Sequence, residues 1–357
     1  MEPEVLFDVA DGIGTIILNR PKTLNALTMN MINEMRMRFT AWMEDEEIRA
    51  VVIKGAGDRA FCAGGDVRAV RQAIIDYDGD ANPALAQDFF YEEYILNHQI
   101  HTSTKPYISL IDGVCMGGGV GLSVHGAFRV ATERTRVGMP ETTIGLFPDV
   151  GGAWFLSRLP GETGTYLALT GAPVTVGDCL ELGIATHVVA SDTLDDLEAG
   201  LHAADLSGDV HAAVKTVLDG FVVAAGAAPT AVAKTEIDQC FSADTAEEIV
   251  ARLTAAGSTF AAHALETLAS KSPTSLKVTL KQIRRGALAT SFAETMTMEF
   301  RLSQHFARGH DFPEGVRAVL VDKDHKPNWD PARLEEVSDA AVAGYFEPVP
   351  WRELTFD

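Results

Sequence analysis

Cysteine is scarce in this sequence, with four residues in a chain of 357. Cys62, Cys115, Cys179 and Cys240 each lie more than fifty residues from the next cysteine. That spacing excludes a CxxC redox pair and a local zinc knuckle, because both need cysteines a few residues apart. We therefore expect buried, reduced thiols, and no metal cluster with plausible ligand spacing is present.

Positive charge and long apolar runs are also scarce. The chain has 29 basic and 50 acidic residues, a formal net charge of -21, which argues against binding to nucleic acid or to anionic membranes. No segment approaches the apolar length of a membrane span, and the first residues carry no basic region followed by an apolar run. These features predict a cytoplasmic protein.

Apolar residues make up 46% of the chain, enough for a sizeable core. Residues 5–189 alternate amphipathic segments with β-rich runs, which are LFDV, GTIILN, AVVIKG, PYISLID and FRVAT. That alternation predicts an α/β layer fold. From about residue 192 only helical patterns remain, so we expect a core over residues 1–190 and a helical C-terminal region over residues 191–357 packed on it.

Two helices are predicted in detail. The first spans residues 28–45 with Thr28 as its cap, and the second spans residues 290–308. Their apolar stripes comprise Met31, Met35, Phe39 and Trp42 in the first helix and Phe292, Met296, Phe300 and Phe306 in the second. Other helical patterns are expected to break at Pro229, Gly257, Pro273 and Gly286.

Two glycine-rich segments each follow a strand-like run. Ala60 to Asp66 reads AFCAGGD, and Met116 to Gly126 reads MGGGVGLSVHG. Glycines leave backbone amides unshielded, and amides at a helix N-terminus carry partial positive charge. One amide from each segment would form a two-donor oxyanion hole, whereas each cluster taken singly is a tight turn.

Other glycine motifs do not fit the second segment. Its glycines lack the third position of a dinucleotide fingerprint, and no lysine follows them as in a phosphate-binding P-loop. Ser123 does not occupy a nucleophile elbow, because His125 stands where that motif needs a glycine.

Paired carboxylates lie on either side of an apolar turn in the stretch MPETTIGLFPDVGG. Gly145 and Pro148 interrupt the stretch, so the backbone is predicted to bend and to turn Glu141 and Asp149 toward one cavity. Two acids next to a glycine-rich backbone that a ligand atom can approach closely indicate acyl chemistry. The alternative for Asp149 is a cap on the helix-like VGGAWFL that follows it.

Glu93 is a third candidate, because it falls on the apolar face of a helical pattern. The stripe on that face comprises Leu85, Phe89, Leu96 and Ile100. A carboxylate there is costly unless it is paired or lines a cavity, and the alternative is a helix end turned toward solvent. For the adjacent His310 and Asp311, a turn and a cap are favoured over an acid/base pair.

Together, AFCAGGD, MGGGVG and MPETTIGLFPDVGG resemble the crotonase (enoyl-CoA hydratase/isomerase) superfamily, whose members bind acyl-CoA thioesters and stabilise an enolate or a tetrahedral oxyanion. The stretches EEYILN, GLSVHGAFRVAT, SPTSLKVT and RGHDFPEGVRAVLVDKDHKPNW resemble the branch that hydrolyses 3-hydroxyisobutyryl-CoA in valine breakdown. The resemblance implies a spiral core of repeated ββα units and a helical C-terminal region. It also implies CoA as part of the substrate, with no separate cofactor.

By position, the resemblance implies that the amides of Gly65 and Gly118 are the oxyanion donors and that three acids surround the acyl group. Those acids are Glu93, Glu141 and Asp149. Glu141 and Asp149 would be catalytic, Glu141 as general base or as nucleophile. Asp149 would hydrogen-bond the substrate hydroxyl or help to protonate the departing thiolate.

Two departures from the hydratase pattern favour the hydrolase branch. Gly121 stands where hydratases carry their first glutamate, and Asp149 stands where they carry glycine. The expected reaction is therefore hydrolysis of 3-hydroxyisobutyryl-CoA, or of a closely related short 3-hydroxyacyl-CoA, to free acid and CoA. The alternatives are an enoyl-CoA hydratase/isomerase and a non-catalytic acyl-CoA-binding scaffold, against which the retained acid pair argues. The superfamily commonly builds trimers, so a homo-oligomer is compatible with the resemblance.

Overall fold

The computed structural model describes residues 2–79 and 83–356. Its strands are β1 (Val5–Ala10), β2 (Ile13–Leu18), β3 (Ala50–Gly55), β4 (Ala60–Cys62), β5 (Tyr107–Ile111), β6 (Val114–Met116), β7 (Phe128–Thr132), β8 (Arg136–Gly138), β9 (Val174–Thr175) and β10 (His187–Val189). Its helices are α1 (Met29–Glu44), α2 (Val67–Ile75), α3 (Ala84–His101), α4 (Gly118–Ser123), α5 (Gly152–Leu156), α6 (Thr163–Thr170), α7 (Val176–Glu181), α8 (Leu194–His202), α9 (Val210–Asp219), α10 (Pro229–Val232), α11 (Lys234–Phe241), α12 (Ala246–Ala256), α13 (Thr259–Ala269), α14 (Pro273–Leu288), α15 (Phe292–Arg308), α16 (Asp311–Val316) and α17 (Asp339–Gly344). Short 3₁₀ turns span Pro21–Thr23, Glu141–Ile144, Ser191–Thr193 and Leu334–Glu336, and a π-helical turn spans Arg317–Val321.

The first of two compact units contains all the strands found in the described residues. It comprises Met1–Gly65, Ile95–Gly138 and Val174–Ala231. Its larger sheet has the order β1-β2-β3-β5-β7-β10, in which β1 and β2 are antiparallel and the other pairs are parallel. Asp11 and Gly12 join β1 to β2 with positive φ angles, as a two-residue hairpin turn prefers.

A smaller sheet in the same unit has the order β4-β6-β8-β9. The strand pairs β3/β4, β5/β6 and β7/β8 repeat one arrangement, in which the first strand joins the larger sheet and the second joins the smaller one. Strands β3 and β5 are buried along most of their length, as is typical of parallel strands covered on both faces. This repetition places the glycines of the two glycine-rich segments shortly after β4 and β6.

The second unit comprises Asp66–Tyr94, Met139–Pro173 and Val232–Asp357, and its described regular structure is helical. Within it, α14 packs against α5 and α6. Gly286 lies inside α14, where an added Cβ would collide with the Ala153 carbonyl oxygen. The predicted helix break at Gly286 is therefore wrong: the glycine permits close packing of two helices.

The α/β fold class is confirmed, and each predicted β-rich run overlaps a strand. The unpredicted strands β4, β6, β8, β9 and β10 have only two or three residues, too few to show an alternating pattern. Helix α1 begins after Thr28, whose hydroxyl accepts a hydrogen bond from the Met31 N–H at 3.2 Å, so the predicted cap is confirmed. The apolar stripes of α1 and α15 are buried as predicted.

The four cysteines are buried free thiols, as expected. Among the described residues, no helix combines the length and apolar character needed to cross a membrane. The division of the chain at residue 190 into core and C-terminal region remains a prediction.

Candidate active site

Four acidic side chains are buried together in the helical unit. Their exposed fractions are 2% for Glu93, 6% for Glu141, 5% for Asp149 and 0% for Glu299. They come from α3, from the 3₁₀ turn, from the loop before α5 and from α15. Each interacts electrostatically with at least one of the others. The sequence predicted three of these acids, and Glu299 was missed.

The predicted burial of Glu93 is confirmed, because α3 turns its apolar stripe inward. Glu93 is buried while the neighbouring Glu92 is only half-buried. The next residue, Tyr94, is also fully buried, and its hydroxyl donates a hydrogen bond to Asp149 Oδ2 at 2.9 Å. Tyr94 is a second residue that the sequence analysis did not select.

Close backbone packing fixes the position of Glu141. The 3₁₀ turn that Glu141 begins ends at Gly145, whose φ is 69°. An added Cβ at Gly145 would collide with the Asp311 carbonyl, and one at Gly315 would collide with Ile144. Helix α16, which carries part of the sequence RGHDFPEGVRAVL, therefore holds the backbone next to Glu141 at close range.

Asp149 does not cap α5 with its side chain. Helix α5 has Gly151 at its N-cap position, and the carboxylate of Glu299 accepts hydrogen bonds from the backbone N–H groups of Gly151 and Ala153, at 2.7 and 2.8 Å. Glu299 therefore supplies the partners that the start of the helix needs. The capping alternative is wrong, and the Asp149 carboxylate is left to bond Tyr94.

Burial makes these acids hold protons more tightly than usual. It raises the pKa of Asp149 from 3.8 to about 7, although hydrogen bonds from Tyr94 and from the backbone of Asp149 oppose the rise. Burial likewise raises the pKa of Glu299 to about 8. For Glu141 and Glu93, burial first and the charge of Asp149 second raise the pKa well above the usual range.

Two oxygens of these four carboxyl groups lack a hydrogen-bond donor within the described part of the chain. Of the residues that the structure describes, none donates a hydrogen bond to Glu93 Oε1 or Glu141 Oε2, and both atoms are buried. An unpaired buried oxygen is costly, so such atoms mark a place where a ligand group can bind. Asp149, with a pKa of about 7, can also give and accept protons near them. This part of the unit can therefore bind a polar group and perform acid/base or nucleophilic chemistry.

In the strand-containing unit, the two glycine-rich segments lie side by side. Gly64 has a φ of 105°, and an added Cβ would lie 3.3 Å from the Met116 carbonyl oxygen and 3.8 Å from the Gly118 nitrogen. Gly118 is the first residue of α4, and Gly65 pairs with Leu27 in a parallel bridge. The segments thus pack closely, while the roles of the Gly65 and Gly118 amides as oxyanion donors remain a prediction.

His310 and Asp311 make structural contacts. The Asp311 carboxylate accepts hydrogen bonds from the Ser272 hydroxyl and from the Asp330 N–H, the latter at 2.9 Å. His310 Nε2 lies 2.8 Å from the Asn328 carbonyl oxygen. Asp311 begins α16, so the pair lies at a helix start as expected, but its side chains tie other segments to that helix.

The fold and the buried acids are those of a class of enzyme, and comparison with known sequences identifies the family. The sequence model of the enoyl-CoA hydratase/isomerase family matches residues 13–346, and the chain belongs to that family. It is 51% identical over 354 residues to the mitochondrial 3-hydroxyisobutyryl-CoA hydrolase of Xenopus laevis, covering 98% of this chain and 90% of the relative. It is 46% identical over 363 residues to the enzyme of the same name from Homo sapiens, covering 99% and 91%.

A solved structure shares the fold over the whole chain. It is named carnitinyl-CoA dehydratase, from Mycobacterium thermoresistibile, and it superposes with a TM-score of 0.92 at 42% identity, covering 100% of this chain and 99% of the other. The comparisons also correct one prediction. The cytoplasmic location is wrong, because the similar hydrolases are named as mitochondrial proteins.

Proposed function

We propose that this protein hydrolyses the thioester of 3-hydroxyisobutyryl-CoA, or of a closely related short 3-hydroxyacyl-CoA, to the free acid and CoA, as a step of valine catabolism. The relatives that span nearly all of the chain carry the name of that hydrolase. The observation that carries the proposal is the buried pair Glu141 and Asp149, which interact electrostatically. Among the described residues, none donates a hydrogen bond to Glu141 Oε2.

Glu141 is the residue that starts the reaction. In one route it removes a proton from water while the water oxygen attacks the thioester carbon; in the other its carboxylate attacks that carbon and forms a mixed anhydride that water then hydrolyses. In both routes the C–S bond breaks and the CoA thiolate leaves. The raised pKa of Glu141 makes its ionised form a stronger base than an exposed glutamate.

Asp149 either hydrogen-bonds the substrate hydroxyl or gives a proton to the departing thiolate. A pKa of about 7 lets it serve as donor or acceptor near neutral pH, and the Tyr94 hydroxyl holds its carboxylate in place. The negative charge that develops on the thioester oxygen is assigned to the amides of Gly65 and Gly118, the role implied by the family resemblance.

A second candidate is hydration or dehydration of an acyl-CoA, because the similar solved structure is named a dehydratase. Gly121 argues against it, since the position of the first hydratase glutamate holds no acid in this chain.

The test is to incubate the purified protein with 3-hydroxyisobutyryl-CoA, isobutyryl-CoA and crotonyl-CoA, without added metal or nucleotide. Free thiol is followed with a thiol-reactive dye, and the acid is identified by mass spectrometry. We expect thiol release, fastest from 3-hydroxyisobutyryl-CoA. Hydration of crotonyl-CoA with no thiol release from any substrate would overturn the proposal. Trapping with hydroxylamine separates the two routes, because only a mixed anhydride can leave a hydroxamate on Glu141.

A further inference from the structure

The loop that carries Asp149 has an unfavourable backbone conformation. Val150 and Gly151, which directly follow Asp149, have φ angles of 51° and 83°. Glycine adopts this left-handed region readily, but a β-branched residue such as valine does so only when the surrounding structure imposes it. Contacts from elsewhere in the chain must therefore hold this loop.

Two buried side chains supply those contacts. Glu299 accepts the N–H groups of Gly151 and Ala153, as described above. Gln282 Nε2 donates to the Pro148 carbonyl oxygen at 2.7 Å and to Glu299 Oε1 at 3.1 Å. The hydrogen bonds therefore hold the backbone on both sides of Asp149.

Burying a carboxylate in an apolar interior costs free energy. Glu299 is fully buried, and burial raises its pKa. Both of its oxygens accept hydrogen bonds, three in total, which suits the ionised form. When ionised, Glu299 also helps to raise the pKa of Glu141 and of Tyr94. Glu299 thus affects both the geometry and the charge of the acid cluster.

We infer that Glu299, supported by Gln282, is a positioning residue for the reaction: it holds residues 148–153, with Val150 and Gly151 in the left-handed conformation, so that the Asp149 carboxylate is directed to Tyr94 and the acid cluster. The inference rests on the proposed function for the identity of the substrate. It does not need Glu299 to touch the substrate.

The test compares Glu299→Gln with Glu266→Gln, a matched control at an exposed position of α13. In Glu299→Gln the new side-chain amide would point its N–H₂ group at a backbone N–H, so one of the loop contacts is lost. We expect a fall of roughly 10- to 100-fold in kcat, with KM changed by less than about 3-fold.

A second variant covers the case in which Glu299→Gln does not fold. Gln282→Met keeps the length of the side chain but leaves the Pro148 carbonyl without its donor, and we expect a fall of roughly 10-fold in kcat. Folded variants at both positions that keep the wild-type kcat would overturn the inference.

Hydrogen–deuterium exchange separates this inference from the proposed function. In both variants, but not in Glu266→Gln, peptides covering residues 148–156 should exchange faster than in the wild type. Unchanged exchange would overturn the positioning role even if activity fell. Faster exchange in a protein whose wild type releases no thiol would instead contradict the proposed function alone.

Discussion

Replacing Asp149 with asparagine should make the protein more stable at alkaline pH while it lowers turnover. The Asp149 carboxylate is buried, and its ionised form is disfavoured there, because burial raises its pKa from 3.8 to about 7. Asparagine has nearly the same shape, remains neutral and can still accept the hydrogen bond from Tyr94. The substitution therefore removes the cost of a buried charge without leaving a cavity.

The magnitude follows from the linkage between protonation and folding. Between the unfolded pKa of 3.8 and the folded pKa of about 7, the folded protein keeps a proton that the unfolded chain releases, so the free energy of unfolding falls as pH rises through this window. At roughly 1.4 kcal/mol per pKa unit, Asp149 alone lowers the free energy of unfolding by about 2.5 kcal/mol between about pH 5 and about pH 8. In the asparagine variant this residue does not titrate, so its contribution to the free energy of unfolding does not fall as pH rises.

Thermal unfolding of both proteins at about pH 5 and about pH 8 measures the effect. With an unfolding entropy of roughly 2 cal/mol/K per residue over 357 residues, the Tm advantage of Asp149→Asn should be larger at the higher pH by about 3 °C. Asp8→Asn is the matched control, since Asp8 is exposed on β1. If the Tm difference between Asp149→Asn and wild type were the same at both pH values, the reasoning about a buried charge would be refuted.

Three further predictions concern activity. Glu141→Gln should lower thiol release by more than about 100-fold while CoA binding persists, because the amide lacks basicity and nucleophilicity; near-normal turnover would remove Glu141 from the mechanism. Gly118→Val should lower kcat sharply, because its side chain would stand where a thioester oxygen approaches the amide; a folded variant with full turnover would place the oxyanion donors elsewhere. Asp149→Asn should reduce the preference for 3-hydroxyisobutyryl-CoA over isobutyryl-CoA, by roughly ten- to a hundredfold if Asp149 bonds the hydroxyl, and an unchanged ratio of kcat/KM values would exclude that contact.

The buried acids show what a local helical pattern can predict. The stripe of α3 singled out Glu93 because a carboxylate on an apolar face is unusual, and the structure confirms its burial. The same test applied to α15 would have found Glu299, which lies three residues after the buried Met296 and directly before the buried Phe300. That signal was present in the sequence, although the contacts that Glu299 makes were not.

For the glycine-rich segments, the sequence predicts less and the tertiary structure decides more. The sequence places them after strand-like runs, and in the structure their glycines follow β4 and β6. Those strands have three residues each, and neighbours from other parts of the chain hold them in the smaller sheet. A strand so short has too few side chains for its own sequence to specify a sheet. The close approach of Gly64 to the backbone of Met116 and Gly118, which leaves little room for a Cβ, therefore depends on pairing between distant segments.

The sequence by itself determined the α/β fold class, the long strands, the stripes and cap of the main helices, and three of the four acids in the buried cluster. Each of these depends on burial or capping, which repeats with the period of a helix or strand and so appears in local patterns. The tertiary structure alone decided that Glu299 holds α5 across 148 residues of chain, that Tyr94 bonds Asp149 across 55 residues, and that burial raises the pKa values of the acids. Hydrogen-bond partners and desolvation are set by which atoms the folded chain brings within reach of one another, and spacing along the sequence does not encode that proximity.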